Sequence, residues 1–233
     1  MNTEPLYEGK AKIVYPGPDD SQVIVSFKDD ATAFNGVKKG QIVGKGEVNA
    51  AITTKLFGLL ADQGVATHFR KQLGPRELLV DHLRMIALEV VVRNRVAGSL
   101  QKRTGLPEGH LLEEPIVELY YKNDALGDPL LNDDHVRILN LASVELVARL
   151  KQEGRRINIV LSEFFDARDV ILVDFKLEFG VQDGVVKLGD EISPDTCRLW
   201  DKGSLTKLDK DRFRQDLGGV EDAYQEVLRR VLA

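Results

Sequence analysis

Cysteine is almost missing from this chain. Cys197 stands alone, which excludes an intramolecular disulfide and a cysteine-built zinc cage. Histidine is scarce too: His68, His82, His110 and His135 fall at no metal-ligand or triad spacing, and each reads as structural. No apolar run approaches the roughly 18 residues that a membrane-spanning helix needs. The first ten residues, MNTEPLYEGK, hold no apolar stretch of the signal-peptide kind. A basic excess is also lacking. With 32 Lys and Arg against 37 Asp and Glu, the formal net charge is −5, so no bulk field draws the chain to nucleic acid or an anionic membrane. Any anionic ligand must be held by a local cluster of cations. Internal repeats and low-complexity tracts are absent. The chain reads as cytoplasmic, with neither nucleic acid nor membrane as partner.

What remains is ordinary globular material. At 233 residues, 43% hydrophobic and 30% charged, the chain can bury a sizeable core as one large domain or two small ones. Strand-like segments at 6–15 and 22–28 flank the turn cluster Pro16-Gly17-Pro18-Asp19-Asp20 and predict an N-terminal β-hairpin. A Gly- and Lys-rich loop at 37–46 precedes a helix over 47–60. Strands are predicted near 65–70, 77–82, 86–93 and 116–122, followed by a polar loop through Asp134. Helices are predicted over 143–153, with Ser143 as N-cap and Gly154 just past the end, and over 156–168. Strands at 170–179 and 185–188 make a second hairpin around Gln182-Asp183-Gly184. Val220, Ala223, Tyr224, Val227, Leu228 and Val231 recur at helical spacing and mark a last helix. Short β-meanders come first and helices flank a later sheet, so the class is α+β, with two lobes that break near 82–86.

Four segments carry chemistry. In Val173-Asp-Phe-Lys-Leu-Glu-Phe179 strand alternation puts Asp174, Lys176 and Glu178 on one face, with Val173, Phe175, Leu177 and Phe179 on the other. A rigid row of two carboxylates and an ammonium suits Mg²⁺ and an anionic reactant; a solvated charge ladder is the other reading of the same spacing. Tyr7-Glu-Gly-Lys-Ala-Lys12 offers Lys10 and Lys12 on one side, with Gly9 and Ala11 leaving the backbone approachable for an oligophosphate. A Walker P-loop is absent: Gly40 and Gly44 are one residue too close, and Gly46 stands where Ser or Thr would be needed. Glu89-Val-Val-Val-Arg-Asn-Arg-Val-Ala-Gly-Ser99 ends a core-type strand in two arginines and a small-residue turn. Arg93 and Arg95 share one face, where their forks, with Ser99 and the amides near Gly98, suit an anion. In Leu188-Gly-Asp-Glu-Ile-Ser-Pro-Asp-Thr-Cys-Arg198, Asp190 falls one hairpin after Glu178 and can sit beside it, and Arg198 adds a cation. Cys197 reads as a small packing residue.

These segments together resemble the SAICAR synthetase family of de novo purine synthesis. The matching stretches are YEGKAK, EVVVRNRVAGS at 89–99, KNDALGDP at 122–129, ILVDFKLEFG at 171–180, LGDEISPDTCRLWD at 188–201 and DKDRFRQDLGG at 209–219. Ala87 departs from the proline usual in the family. The resemblance implies a two-lobed fold, with a β-rich nucleotide lobe over 1–84 and an α+β substrate and Mg²⁺ lobe over 85–233. It implies a homodimer and an ATP-dependent ligase. That ligase would join L-aspartate to a carboxylated aminoimidazole ribonucleotide (CAIR) through an acyl phosphate, releasing ADP and phosphate. By the same resemblance Gly9, Lys10, Ala11 and Lys12 would hold the ATP phosphates, with adenine near His82 to Met85. Glu178 and Asp190 would ligate Mg²⁺, and Lys176 would act on the transferring group. Arg93, Ser99 and Arg198 would hold the ribonucleotide phosphate. Lys122, Asp128, Asp174, Asp195 and Arg214 complete the substrate-binding set. Two rivals share parts of this pattern. A kinase lacks support, since H-R-D and D-F-G are missing. A nucleotide-sensing protein without turnover would not need Lys176, Glu178 and Asp190 together.

Overall fold

The computed structural model describes residues 4–33 and 37–233. Its first part is antiparallel sheet: β1 (Tyr7–Glu8), β2 (Lys12–Pro16) and β3 (Gln22–Phe27), then a separate ribbon of β4 (Asp30–Ala33) and β5 (Lys38–Gln41). Helix α1 (Lys45–Asp62) leads to β6 (Phe69–Gln72) and β7 (Glu77–Asp81), which complete a five-stranded sheet in the order β1-β2-β3-β7-β6. The single strand predicted over 6–15 is therefore two. The chain reverses at Gly9–Ala11, where the Gly9 N–H donates to the Lys12 carbonyl at 2.8 Å and Tyr7 pairs with Val14. Lys10 stands at the tip of this turn.

The second part holds β8 (Arg84–Arg95), α2 (Ser99–Thr104), β9 (Leu111–Tyr121), β10 (Leu130–Leu131), α3 (Asp133–Ile138) and α4 (Val144–Asp166). After these come β11 (Val170–Gln182), β12 (Val185–Gly189), β13 (Cys197–Asp201), α5 (Asp211–Arg214) and α6 (Val220–Leu232). The sheet order is β10-β9-β8-β11-β12, with β13 also on β11. β13 pairs with residues 170–175 of β11 and β12 with residues 178–182, so the two share one edge and leave a gap between them. Helix α1 lies between the sheets. Its Ala50 packs with Val23, Val25, Leu78 and Val80 of the first sheet, while Ile52 and Leu56 join the large core with Val90, Phe175, Leu161 and Val227. Among the described residues no helix is long and apolar enough to cross a membrane.

Two local expectations fail for identifiable reasons. Gly154 does not end a helix: α4 runs 23 residues through it. A Cβ at Gly154 would lie 3.2 Å from Val92 and 3.3 Å from Val90, so the glycine serves close helix-on-sheet packing. Ser143 does cap the helix, accepting the Leu146 N–H at 3.2 Å. Val173 does not share the face of Phe175, Leu177 and Phe179. A register shift between Leu172 and Asp174 sends it to a small cluster with Ala97 and Trp200. The ribbon β4–β5, strands β10 and β13 and the short helices α2, α3 and α5 fall outside the predicted strands and helices; each spans six residues or fewer, too brief to show periodicity.

Candidate active site

β11 is the spine of the site. Glu178 lies opposite Glu89 of β8 and opposite Gly189 at the end of β12, which brings Asp190 to its side. Like charges facing each other across a sheet repel, and lysines resolve the conflict. Lys176 donates to Glu89 at 2.9 Å and also to Glu178; Lys122, just past β9, donates to Glu178 at 2.7 Å. Lys12 reaches across from β2 to Asp190 and, at 2.9 Å, to Glu191. Burial works against charge on Lys12, but Asp190 and Glu191 outweigh it and hold the ammonium above its usual range. Burial likewise opposes Lys176, which Glu178 and Asp190 raise well above that range. Asp190 is the converse: burial would push its carboxyl up, yet Lys12 and Lys176 hold it well below the ordinary range. The result is a closed grid of paired charges. Among the described residues no three His, Cys, Asp or Glu side chains converge as a metal cage.

Four residues back along β11, about 13 Å at strand rise, Asp174 is buried between two arginines. Arg93 Nη1 donates to it at 2.6 Å and Arg198 Nη1 at 2.8 Å. Arg93 is only 3% exposed. Its Nε donates to Glu118 at 2.7 Å and its Nη2 to the Ser99 hydroxyl at 3.1 Å and the Tyr120 hydroxyl at 3.2 Å. Arg198 Nε donates to Asp211 at 2.8 Å, and Asp211 also takes Arg214 at 2.6 Å. Gly98 is required here twice. Its φ is +54°, and a Cβ would lie 2.4 Å from Arg198 Nη2. Arg93, Ser99, Asp174, Arg198 and Arg214 thus gather in one place, with Asp174 orienting two arginines.

Residues 190–196 cross the gap between β12 and β13, beside Lys176, whose N–H donates to the Thr196 carbonyl at 2.9 Å. One face of α1 holds this loop. Lys45 pairs with Asp195 at 2.7 Å and the Thr53 hydroxyl donates to the Ile192 carbonyl at 3.2 Å. Asn49 sits between them at helical spacing, buried, with neither amide atom partnered among the described residues. Tyr224 of α6 donates to the second Asp195 oxygen at 2.6 Å. Burial opposes ionisation of Asp195, but Lys210 and Lys45 hold its carboxyl well below the usual range. Lys45 is 1% exposed, and an ammonium that far from water is tolerated only with a counter-charge. Asp195 spends both oxygens on this brace.

The remaining candidates lie around the rim. Lys10 pairs with exposed Asp124 at 2.6 Å, which ties the turn Gly9–Ala11 to the loop after Lys122. Asp128 accepts the Asn123 N–H at 2.8 Å within that loop. Met85 is 42% exposed, with its methyl and sulfur beside Gly180 and Gly189. His82 lies farther out, its Nδ1 3.3 Å from the Asp20 carbonyl in the β2–β3 turn. His68 is buried against Phe57, and burial lowers its pKa to about 4, leaving it neutral. Burial pushes the Cys197 thiol up, as suits a packing residue. Sequence reasoning missed Glu89, Glu191, Lys45, Glu118, Tyr120, Arg103 and Tyr224. Glu89 was legible, because it begins the E-V-V-V-R strand on the side of Arg93. Lys45 and Tyr224 looked like a surface lysine and a core aromatic.

A family model described as SAICAR synthetase matches residues 5–231. The chain is 57% identical over 230 residues to a phosphoribosylaminoimidazole-succinocarboxamide synthase of Gloeobacter violaceus, covering 98% of this chain and 93% of that protein. It is 53% identical over 228 residues to the synthase of the same name from Caldanaerobacter subterraneus, covering 98% and 97%. Among solved structures, the phosphoribosylaminoimidazole-succinocarboxamide synthase of Ehrlichia chaffeensis superposes with a TM-score of 0.96 at 43% identity, covering 99% of each chain. A SAICAR synthetase in complex with ADP superposes at 0.94 with 50% identity, covering 97% and 96%. On the family model and these near-full-length matches, the chain belongs to the SAICAR synthetase family.

Proposed function

We propose that this ligase of purine biosynthesis couples ATP to the joining of L-aspartate and CAIR, with two anion sites held apart by β11. The observation that carries the reading is the row Asp174, Lys176, Glu178, which has the arginine cluster at one end and the lysine–carboxylate grid at the other. A carboxylate is a poor electrophile. Transfer of the γ-phosphoryl group to a CAIR carboxylate oxygen makes an acyl phosphate and ADP. The aspartate amine then attacks the acyl carbon, loses a proton, and expels phosphate with that oxygen. Lys12 and Lys10 would hold the oligophosphate, with adenine toward Met85; the ADP bound by the homologous SAICAR synthetase supports a nucleotide here. Lys176, on the arginine-cluster side of Glu178 in that row, would oppose the charge that builds during transfer. Arg93, Ser99, Arg198 and Arg214 would hold the ribonucleotide, with Lys122 and Asp128 at the rim.

The donor set fits Mg²⁺. Glu178 on β11 and Asp190 just past β12 are hard oxygen ligands, and with no third His, Cys, Asp or Glu converging among the described residues, a cation there would complete its shell with water and phosphate oxygens, as Mg²⁺ prefers. When bound, the ion would neutralise oligophosphate charge. Assembly as a homodimer belongs to the same reading. The test is isotopic: ¹⁸O in the CAIR carboxylate should appear in the released phosphate. Label retained wholly in the product amide would refute acyl-phosphate transfer.

A further inference from the structure

We propose that Arg103, with Tyr120, forms the accessible arm of the site that grips the 5′-phosphate of the ribonucleotide. The inference rests on the function proposed above and adds a substrate-binding residue to it.

Arg103 follows Ser99 by four residues on α2, so the two share a face. Its Nη1 donates to the Ser99 hydroxyl at 3.0 Å and to the Tyr120 hydroxyl at 2.9 Å, and its Nη2 pairs with Glu118. Tyr120 in turn donates to Glu118 at 2.9 Å. Arg93 touches the same Ser99 and Tyr120 hydroxyls from beneath. The two arginines differ in freedom. The Arg93 side chain is 4% exposed with every nitrogen engaged, whereas that of Arg103 is 32% exposed and its Nε has no partner among the described residues. Arg198 Nη2, also without a partner among the described residues, lies against Gly98, next to Ser99. Arg93, Arg103 and Tyr120 therefore converge on the Ser99 hydroxyl, with Arg198 alongside.

The chemistry of this ring selects phosphate. Four arginines, Arg93, Arg103, Arg198 and Arg214, pair directly with three carboxylates, Glu118, Asp174 and Asp211, with Asp209 behind Asp211, so the guanidinium forks outnumber the carboxylates they grip. Several forks and two hydroxyls arriving from different directions match the tetrahedral oxygens of a phosphate; a planar carboxylate would be satisfied by one fork. Arg93 forms a fixed floor, its direction set by Glu118 and Asp174. Arg103 can turn its fork from the two hydroxyls to a ligand and remain tethered through Glu118.

The experiment compares Arg103→Gln and Arg103→Lys with the parent enzyme on CAIR and on its 5′-dephosphorylated ribonucleoside. Loss of a charge-assisted contact should raise KM for CAIR about 10- to 100-fold in R103Q with kcat unchanged. KM for ATP and for L-aspartate should stay within about twofold, and the parent's preference for nucleotide over nucleoside should shrink by the factor lost on CAIR. R103K keeps the charge without the fork and should recover only part of the affinity; it carries the same comparison should R103Q fail to fold. An unchanged KM for CAIR, an equal loss on both substrates, or a fall confined to kcat would overturn the assignment and make Arg103 a brace for Glu118 and Tyr120. A parent enzyme inactive on CAIR would instead refute the ligase reading itself.

Discussion

Replacing Tyr224 by phenylalanine removes one oxygen from the interior and leaves the ring in place. That oxygen donates to Asp195 at 2.6 Å, and both side chains are buried. Burial and the adjacent Asp195 charge push the phenol well above its usual range, so it remains a donor under all assay conditions. A hydrogen bond to a charged group contributes about 1.5–3 kcal/mol. Lys45 at 2.7 Å and Lys210 at 3.7 Å stay on the other oxygen, so the carboxylate keeps counter-charges. The lower part of that range, about 1.5–2 kcal/mol, is therefore expected. Lys45→Met differs, because it leaves Asp195 buried without its close ammonium, and a loss of about 3–5 kcal/mol should follow. Urea denaturation at neutral pH should show a lower midpoint and an unchanged slope for Y224F. Steady-state kinetics should show the same brace from the other side. Loop 190–196 carries Asp190 and Glu191, so kcat should fall while KM for CAIR holds, since the arginine cluster hangs from Asp174 and Asp211 instead. A stability change below about 0.5 kcal/mol would refute the reasoning, because that is what an uninvolved surface substitution gives.

Glu178→Gln and Asp190→Asn should each abolish ligation and weaken Mg²⁺ binding in the presence of ADP, with far-UV circular dichroism unchanged; full activity in either would remove these carboxylates from the site. Gly154→Ala places a methyl group 3.2 Å from Val92 and 3.3 Å from Val90. The helix gains about 1 kcal/mol from alanine, but overpacking against a central strand costs about 1–3 kcal/mol, so thermal melting should come at a lower temperature. Asp209 is fully buried, accepts the Leu199 and Asp211 N–H groups, and is pushed up to about 7 by burial and by the Asp211 charge. A raised carboxyl stabilises the fold below the ordinary carboxylate range and loses that contribution as pH rises through about 7. Asp209→Asn should therefore gain on the parent in urea stability between pH 5 and pH 8, by about 1.4 kcal/mol per unit at most. A pH-independent difference between the two would contradict the shift.

The chemistry-bearing strands were legible because each carries a strong local signal. β11 announces its polar row by strict alternation, and the Gln182-Asp183-Gly184 turn fixes where β12 returns, so Asp190 beside Glu178 follows from counting. The arginines after Val92 stood out because charged residues end an apolar run. What stayed hidden depends on tertiary packing. Gly154 carries the same local cue as a helix stop, and only the nearness of Val90 and Val92 shows otherwise. The bulge that turns Val173 away is set by pairing with β13, which begins 23 positions beyond Asp174 in a stretch with no alternation to read. Lys45 is the clearest case: a lysine inside a Gly- and Lys-rich loop reads as solvated, and its partner Asp195 lies 150 residues away.

The broken edge of β11 explains how two neighbouring carboxylates come to serve one lysine. Had β12 continued past Gly189 in register with β11, Asp190 and Glu191 would have pointed to opposite faces of the sheet, as consecutive strand residues must. The chain instead leaves the sheet at Asp190, in a left-handed conformation with φ 57°. Aspartate tolerates that region better than most side chains. The turn lets both Asp190 and Glu191 meet Lys12. The strand backbone is not orphaned by the departure, because Thr196 returns to accept the Lys176 N–H. Asp195, one residue earlier, is pinned by Lys45 and Tyr224. The loop is thus fixed at its entrance by strand pairing and at its exit by a buried ion pair, and the acidic residues between are held against the lysines without a regular strand beneath them.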